Sequence, residues 1–273
     1  MSILYSFSKV NGASAAGMCP VEILAPFIDS AALERLCPHA KTVFVVLFPY
    51  YAGAAPGNLS LYARGRDYHA VIHDALTPLV KTLEQDFPKN RFLILADASP
   101  IPEVRAAAYA GLGCIGENGL LITEAYGSFV FIGTVVSDLL VPTADASAFH
   151  IPPCLRCRKC ITACPADAIH NGRIDADRCL SALTQKSGTF APEELSLLKQ
   201  HPLIWGCDIC QTVCPMNGAV RTTENPAFRE NLIASLSESE VSGLTRRTFF
   251  ERFPDRAFTW KGPKPLERNL KQK

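Results

Sequence analysis

The sequence predicts a mixed α/β (α+β) chain in two parts, a layered domain of helices against a sheet followed by a compact cysteine-rich module. Three observations carry this. Short β-branched runs alternate with helical patterns up to about residue 140. Eight of the eleven cysteines lie between Cys154 and Cys214. The 153 residues ahead of them are enough for a domain of their own.

In chain order, a short helix is expected near the start, with Cys19 and Cys37 as small buried hydrophobes because neither has a CxxC partner. Val43 to Tyr50 reads as a buried strand. Tyr68, Val71, Ile72, Ala75, Leu76, Leu79, Val80 and Leu83 recur at three-and-four spacing, which predicts an amphipathic helix with a candidate kink at Pro78. Phe92 to Ala96 is a second strand, Glu103 to Ala110 a helix stopped by Gly111, and Ser128 to Val136 a strand or tight hairpin. A linker, Val141 to Pro153, leads into the cysteine module, where residues 168–175 suit a small hairpin and Pro192 to Gln200 a helix. Beyond Arg221 come a helical patch near Asn231 to Leu244 and a basic tail, frayed or docked. These readings divide the chain into 1–145, 146–220 and 221–273.

The cysteines carry the chemistry. The first motif is Cys154-x2-Cys157-x2-Cys160-x3-Cys164-Pro165, and the second is Cys207-x2-Cys210-x3-Cys214-Pro215, with Cys179 alone between them. In such motifs three closely spaced thiolates hold one [4Fe–4S] cube and the cysteine before proline ligates the other. Cys154, Cys157 and Cys160 are thus expected to share a cluster with Cys214. Cys207 and Cys210 are expected to share one with Cys164 and, as the remaining cysteine in the stretch, Cys179. Zinc and disulfides are the competing readings. The N-terminal segment lacks the pattern of a secretory signal, and a third cysteine at the next x2 step with Cys-Pro at both ends favours the cubane over a zinc knuckle.

Composition narrows the class. Hydrophobic residues make up 48% and charged residues 19%, a globular balance, and a formal net charge of +1 leaves no chain-wide nucleic-acid footprint. No apolar run approaches the roughly eighteen residues of a membrane span. A cytoplasmic setting is expected, where clusters stay reduced and sheltered.

The second cluster motif is split by 27 residues between Cys179 and Cys207, which implies something bound beside the cluster. Residues 61–69 (LYARGRDYH), Asp97-Ala98-Ser99-Pro100, residues 110–118 (AGLGCIGEN), Arg178-Cys179-Leu180-Ser181 and residues 206–211 (GCDICQ) together resemble the epoxyqueuosine reductase family. The resemblance implies a nitroreductase-like domain that binds cobalamin against the double-cluster module. It also implies delivery of electrons to cobalt from an external single-electron donor of flavodoxin or ferredoxin type, and removal of the epoxide oxygen of epoxyqueuosine in tRNA, the protein working as a monomer. It assigns Asp97 as the acid that protonates the departing oxygen, with a pKa raised by burial beside the corrin. The residue's own context equally suits a helix cap or turn. Arg64, Ser181, Cys207 and Asp208 match positions against the corrin, and Leu121 and Ile132 are expected to offer it apolar contact; His69 reads as scaffold. The family's C-terminal helical-repeat domain would begin near residues 266–269, so the resemblance implies a short form. Cys114 and Glu117 stand where the family has tryptophan and lysine, which removes a stacking surface and reverses a charge. A corrinoid reductase for another electrophile and a plain electron carrier remain as alternatives.

Overall fold

The computed structural model describes residues 3–97, 99–142 and 153–273; most of the expected linker, and the expected boundary at residue 145, lie outside them. The chain divides into two compact units. Met1–Pro49, His69–Gly116 and Leu120–Cys154 form the first, and Tyr50–Tyr68, Glu117–Gly119 and Leu155–Lys273 the second.

The first unit is built on a four-stranded sheet in the order Ala15–Pro20, Thr42–Pro49, Val130–Ser137, Phe92–Leu95, with every neighbouring pair antiparallel. All eight residues of Thr42–Pro49 are buried, which is why the run carries no polar alternation. Val43, Val45 and Leu47 join Ala106, Ala107 and Ala110 from the helix Glu103–Tyr109 and its C-cap in one core. Successive side chains of a strand face opposite ways. On the other face Phe7 stacks on Phe44 with ring centroids 4.4 Å apart. There the helix Tyr68–Asp86, unbroken at Pro78, approaches so closely that a Cβ on Gly133 would meet Ile72 Cγ2 at 2.6 Å. The edge strand Ala15–Pro20 was not visible in the sequence, because its small residues lack β-propensity and it exists only by pairing with Thr42–Pro49.

The second unit gathers around the fully buried Trp205. Leu59 and Ala63 pack in the same core as Ile204, Leu236, Val241, Phe249, Phe258 and Leu266. The division expected at residue 220 is therefore not a boundary between compact parts, since the residues beyond it wall the core that Trp205 fills. The basic tail is docked: Asn269 Nδ2 donates to the carbonyls of Thr184 (2.8 Å) and Ile204 (2.7 Å), and Lys273 Nζ donates to that of Leu198 at 2.7 Å. The hairpin pairs Ile169–His170 with Arg173–Ile174 across Asn171 and Gly172, both at positive φ, as a two-residue turn requires. The helix Pro192–Gln200 forms over the expected span.

Candidate metal centre

Four cysteines of the second unit line one recess: Cys164, Cys179, Cys207 and Cys210, with Ile169, Ile174, Leu180 and Ile209 among its walls. Each is placed by a different local device. Cys164 is the extended C-cap of the helix Lys159–Ala163, and its sulfur accepts the Ala168 N–H at 3.4 Å. Cys179 is the N-cap of the helix Leu180–Gln185. Cys207 follows Gly206, whose positive φ and lack of a side chain are both used, since a Cβ there would sit 2.4 Å from Ser60 Cβ. Cys210 lies on the short helix Ile209–Thr212.

The electrostatics of this ring call for a positive centre. Burial first, then the negative charge of the neighbouring cysteines, pushes Cys210 up to about 12. Burial likewise pushes Cys207 up to about 12, with the charges of Cys179 and Cys164 adding to it. Four thiolates here would stay ionised together only against bound metal. Among the described residues no group of three Cys, His, Asp or Glu converges on a point that one metal ion could occupy.

The remaining cysteines sit differently. Cys160 is buried, Cys154 and Cys214 are half-buried, and Cys157 is exposed.

The loop beside the recess is tied to the cysteine motif by Asp208. Its Oδ1 accepts from Ser60 Oγ, and its Oδ2 accepts from the Leu61 N–H at 2.9 Å. Burial raises the Asp208 pKa, opposed by those two donors and by Arg64. Arg64 is no solvated loop residue. It is 6% exposed, and it donates to the carbonyls of Leu59 (2.8 Å) and Ala55 (2.7 Å). Both residues assigned to the corrin by resemblance thus already serve as internal staples. Ser181 differs: its hydroxyl is half-buried and makes no hydrogen bond among the described residues. Sequence reasoning missed the pair in which Gln211 Nε2 donates to the buried Tyr50 hydroxyl at 3.1 Å. It also gave no role to Ser60, which nothing in its neighbours marks. Asn118 explains its place in the AGLGCIGEN stretch by donating to the Cys210 carbonyl at 3.5 Å.

In the first unit Leu121 is a core side chain, and Ile132 packs partly buried against the same core. Asp97 lies at a corner just past the strand Phe92–Leu95. Its side chain is 60% exposed in the chain alone, and Pro102, not Asp97, stands at the N-cap of the next helix. The strand ends at Leu95 and the backbone turns outward through a left-handed Asp97 (φ +56°). His69 Nε2 lies 3.7 Å from Asp97 Oδ2. The perturbed carboxyl of this corner is Glu103, raised to about 7 by burial and then by the charge of Asp97; it accepts from Ser99 Oγ at 3.3 Å.

A family model described as epoxyqueuosine reductase QueG, DUF1730, matches residues 31–98, and one described as a 4Fe-4S double cluster binding domain matches residues 153–217. The epoxyqueuosine reductase of Lactococcus garvieae is 33% identical over 255 residues, covering 87% of this chain and 71% of that protein. The chain belongs to the epoxyqueuosine reductase family. A second family member, from Cyclobacterium marinum, is 32% identical over 247 residues, covering 87% of this chain and 77% of its own. Among solved structures, epoxyqueuosine reductase from Streptococcus thermophilus matches with a TM-score of 0.81 at 25% identity, covering 98% of this chain and 79% of that one. An epoxyqueuosine reductase solved with a tRNA-Tyr epoxyqueuosine-modified stem loop matches with a TM-score of 0.84, 25% identity and the same coverage. The chain is thus an iron–sulfur oxidoreductase of this family, with the mixed α/β fold and double-cluster domain that go with it. Among the described residues no helix is long and apolar enough to cross a membrane.

Proposed function

We propose that this chain reduces epoxyqueuosine in tRNA to queuosine, with electrons passed through two [4Fe–4S] clusters to a bound cobalamin. The observation that carries it is the 255-residue match to an epoxyqueuosine reductase, which spans the loop of Arg64, the Asp97 corner and the split cysteine motifs together. The net reaction converts an epoxide to an alkene and water. It takes two electrons and two protons.

One cluster is assigned to Cys164, Cys179, Cys207 and Cys210, whose shared recess and mutual repulsion support it. The other is assigned to Cys154, Cys157, Cys160 and Cys214 on the spacing of the motif. When bound, the corrin supplies low-valent cobalt for the reductive step. In the second unit the hydroxyl of Ser181, without a hydrogen bond among the described residues, suits the amide rim of a corrin, and Cys207 belongs to the ligand set of the nearby recess. Arg64 and Asp208 act there by holding the loop from Ala55 to Leu61 in shape. In the first unit Asp97 is the proton donor: exposed to solvent, it can be recharged between turnovers, with His69 3.7 Å away to share the proton. Ile132 offers partly buried apolar surface, whereas Leu121 supports it from the core.

Anaerobic reconstitution with iron, sulfide and cobalamin tests this. The expected result is about eight irons per chain, retained corrin, and conversion of an epoxyqueuosine-bearing tRNA stem loop. A fully loaded chain that leaves the epoxide intact would reject the substrate and leave a corrinoid reductase for another electrophile, a reading that the acidic Glu117 in place of the family's lysine would then favour.

A further inference from the structure

We propose that the exposed loop Leu155–Lys159 is the docking surface for an acidic single-electron carrier protein, which reduces the cluster held by Cys157. The inference rests on the assignment of Cys154, Cys157 and Cys160 as cluster ligands.

Charge is concentrated there. Arg156, Arg158 and Lys159 fall within four residues, and no acidic residue occurs between Pro153 and Pro165, in a chain whose formal net charge is only +1. All three side chains are exposed, and none makes a hydrogen bond or ion pair among the described residues. Several other surface cations are paired, Lys186 with Glu194, Arg247 with Glu251 and Lys271 with Glu267, and what sets Arg156, Arg158 and Lys159 apart is that three exposed cations crowd into four residues with no acid among them. An unpaired cluster projects a field that its paired counterparts do not.

The backbone agrees. Arg156 and Arg158 sit at φ +50° and +60°, the left-handed region where glycine is the easier residue, yet arginine occupies both. Among these cations Leu155 is 63% exposed and Cys157 is exposed. A small apolar centre with a charged rim is the anatomy of a weak, transient redox interface, in which charge complementarity sets the encounter rate. RNA would use the cations for phosphate but has no use for an exposed leucine beside a cluster cysteine, so the observations favour a protein. Each encounter moves one electron: the carrier is oxidised by one and the cluster reduced by one. Two encounters supply each epoxide.

The test follows cluster bleaching by stopped flow in the reconstituted full chain, using a reduced acidic flavodoxin as probe and a neutral photoreductant as control. With the unaltered chain, the flavodoxin rate should fall as salt rises. Reversing the charges (Arg156→Glu, Arg158→Glu, Lys159→Glu) should slow flavodoxin by about tenfold or more at low salt, abolish that salt dependence, and leave the neutral reductant unaffected. If reversal impairs cluster assembly, neutralisation of the same three residues to Gln should give the same pattern in weaker form. Leu155→Ser should slow flavodoxin a few-fold while keeping the salt slope. Unchanged flavodoxin kinetics, equal slowing of both reductants, or a loss confined to tRNA stem-loop affinity would each overturn the inference alone. Fewer than eight irons in the unaltered chain would overturn the cluster assignment and this inference with it.

Discussion

The recess ringed by Cys164, Cys179, Cys207 and Cys210 and the corner around Asp97 solve opposite problems. The first is buried and braced from outside the motif: Asp208 grips the Ser60–Leu61 loop, Asn118 holds the Cys210 carbonyl, and Thr184 Oγ1 accepts the Gly206 N–H at 2.9 Å. The second is exposed and turned outward on a left-handed residue, with only Glu103 partly withdrawn from water. A cluster set in from the surface needs fixed ligand spacing; a proton donor needs access to water for its next proton. The contrast teaches that the recess of Cys164, Cys179, Cys207 and Cys210 is held by rigid, buried braces, while the Asp97 corner stays open to water.

The sharpest break of this contrast is removal of a ligand. Cys179→Ala should lower bound iron from about eight to about four per chain and abolish turnover; a full iron complement would remove Cys179 from the ring. Next comes Asp97→Asn, which should retain clusters and corrin yet cut turnover by about 10²–10⁴-fold, measured on a modified stem loop. A near-normal rate would leave the corner without its acid.

Asp208→Ala tests the brace. It strands the buried Ser60 hydroxyl and the Leu61 N–H and should cost about 1–3 kcal/mol in chemical denaturation, with Asp208→Asn milder because it keeps one acceptor.

The smallest effect is expected at Glu103. Its folded pKa, about 7, lies above the ordinary 4.5, so the folded state binds the extra proton. Its stabilising contribution is therefore complete below about 4.5 and is lost as pH rises through about 7. Glu103→Gln should flatten stability against pH across that window; an unaltered slope would place the titration elsewhere.

Much of this was legible in the residues. The strand at Thr42–Pro49 announced itself by unbroken apolarity, the helix at Tyr68–Asp86 by its period, and the double-cluster module by cysteine spacing. The edge strand at Ala15–Pro20 was not, because small residues carry no strand signal and pairing alone makes them one. The exposure of Asp97 was equally hidden, since a strand followed by Asp-Ala-Ser-Pro reads alike for a buried acid, a cap or an outward turn. The roles of Ser60 and Asp208 depend on a contact 148 positions apart in sequence.

The sequence alone determined that a double-cluster module lies at residues 153–217, because cysteine spacing is a local property of the chain. It also determined the central strand and the long helix, whose apolar patterns need no partner to be read. Only the tertiary structure decided that residues 50–68 and the C-terminal segment share a core with Trp205, and which carboxyl is withdrawn from water and which is not. Burial and pairing are set by residues far apart in sequence, and no local pattern encodes them.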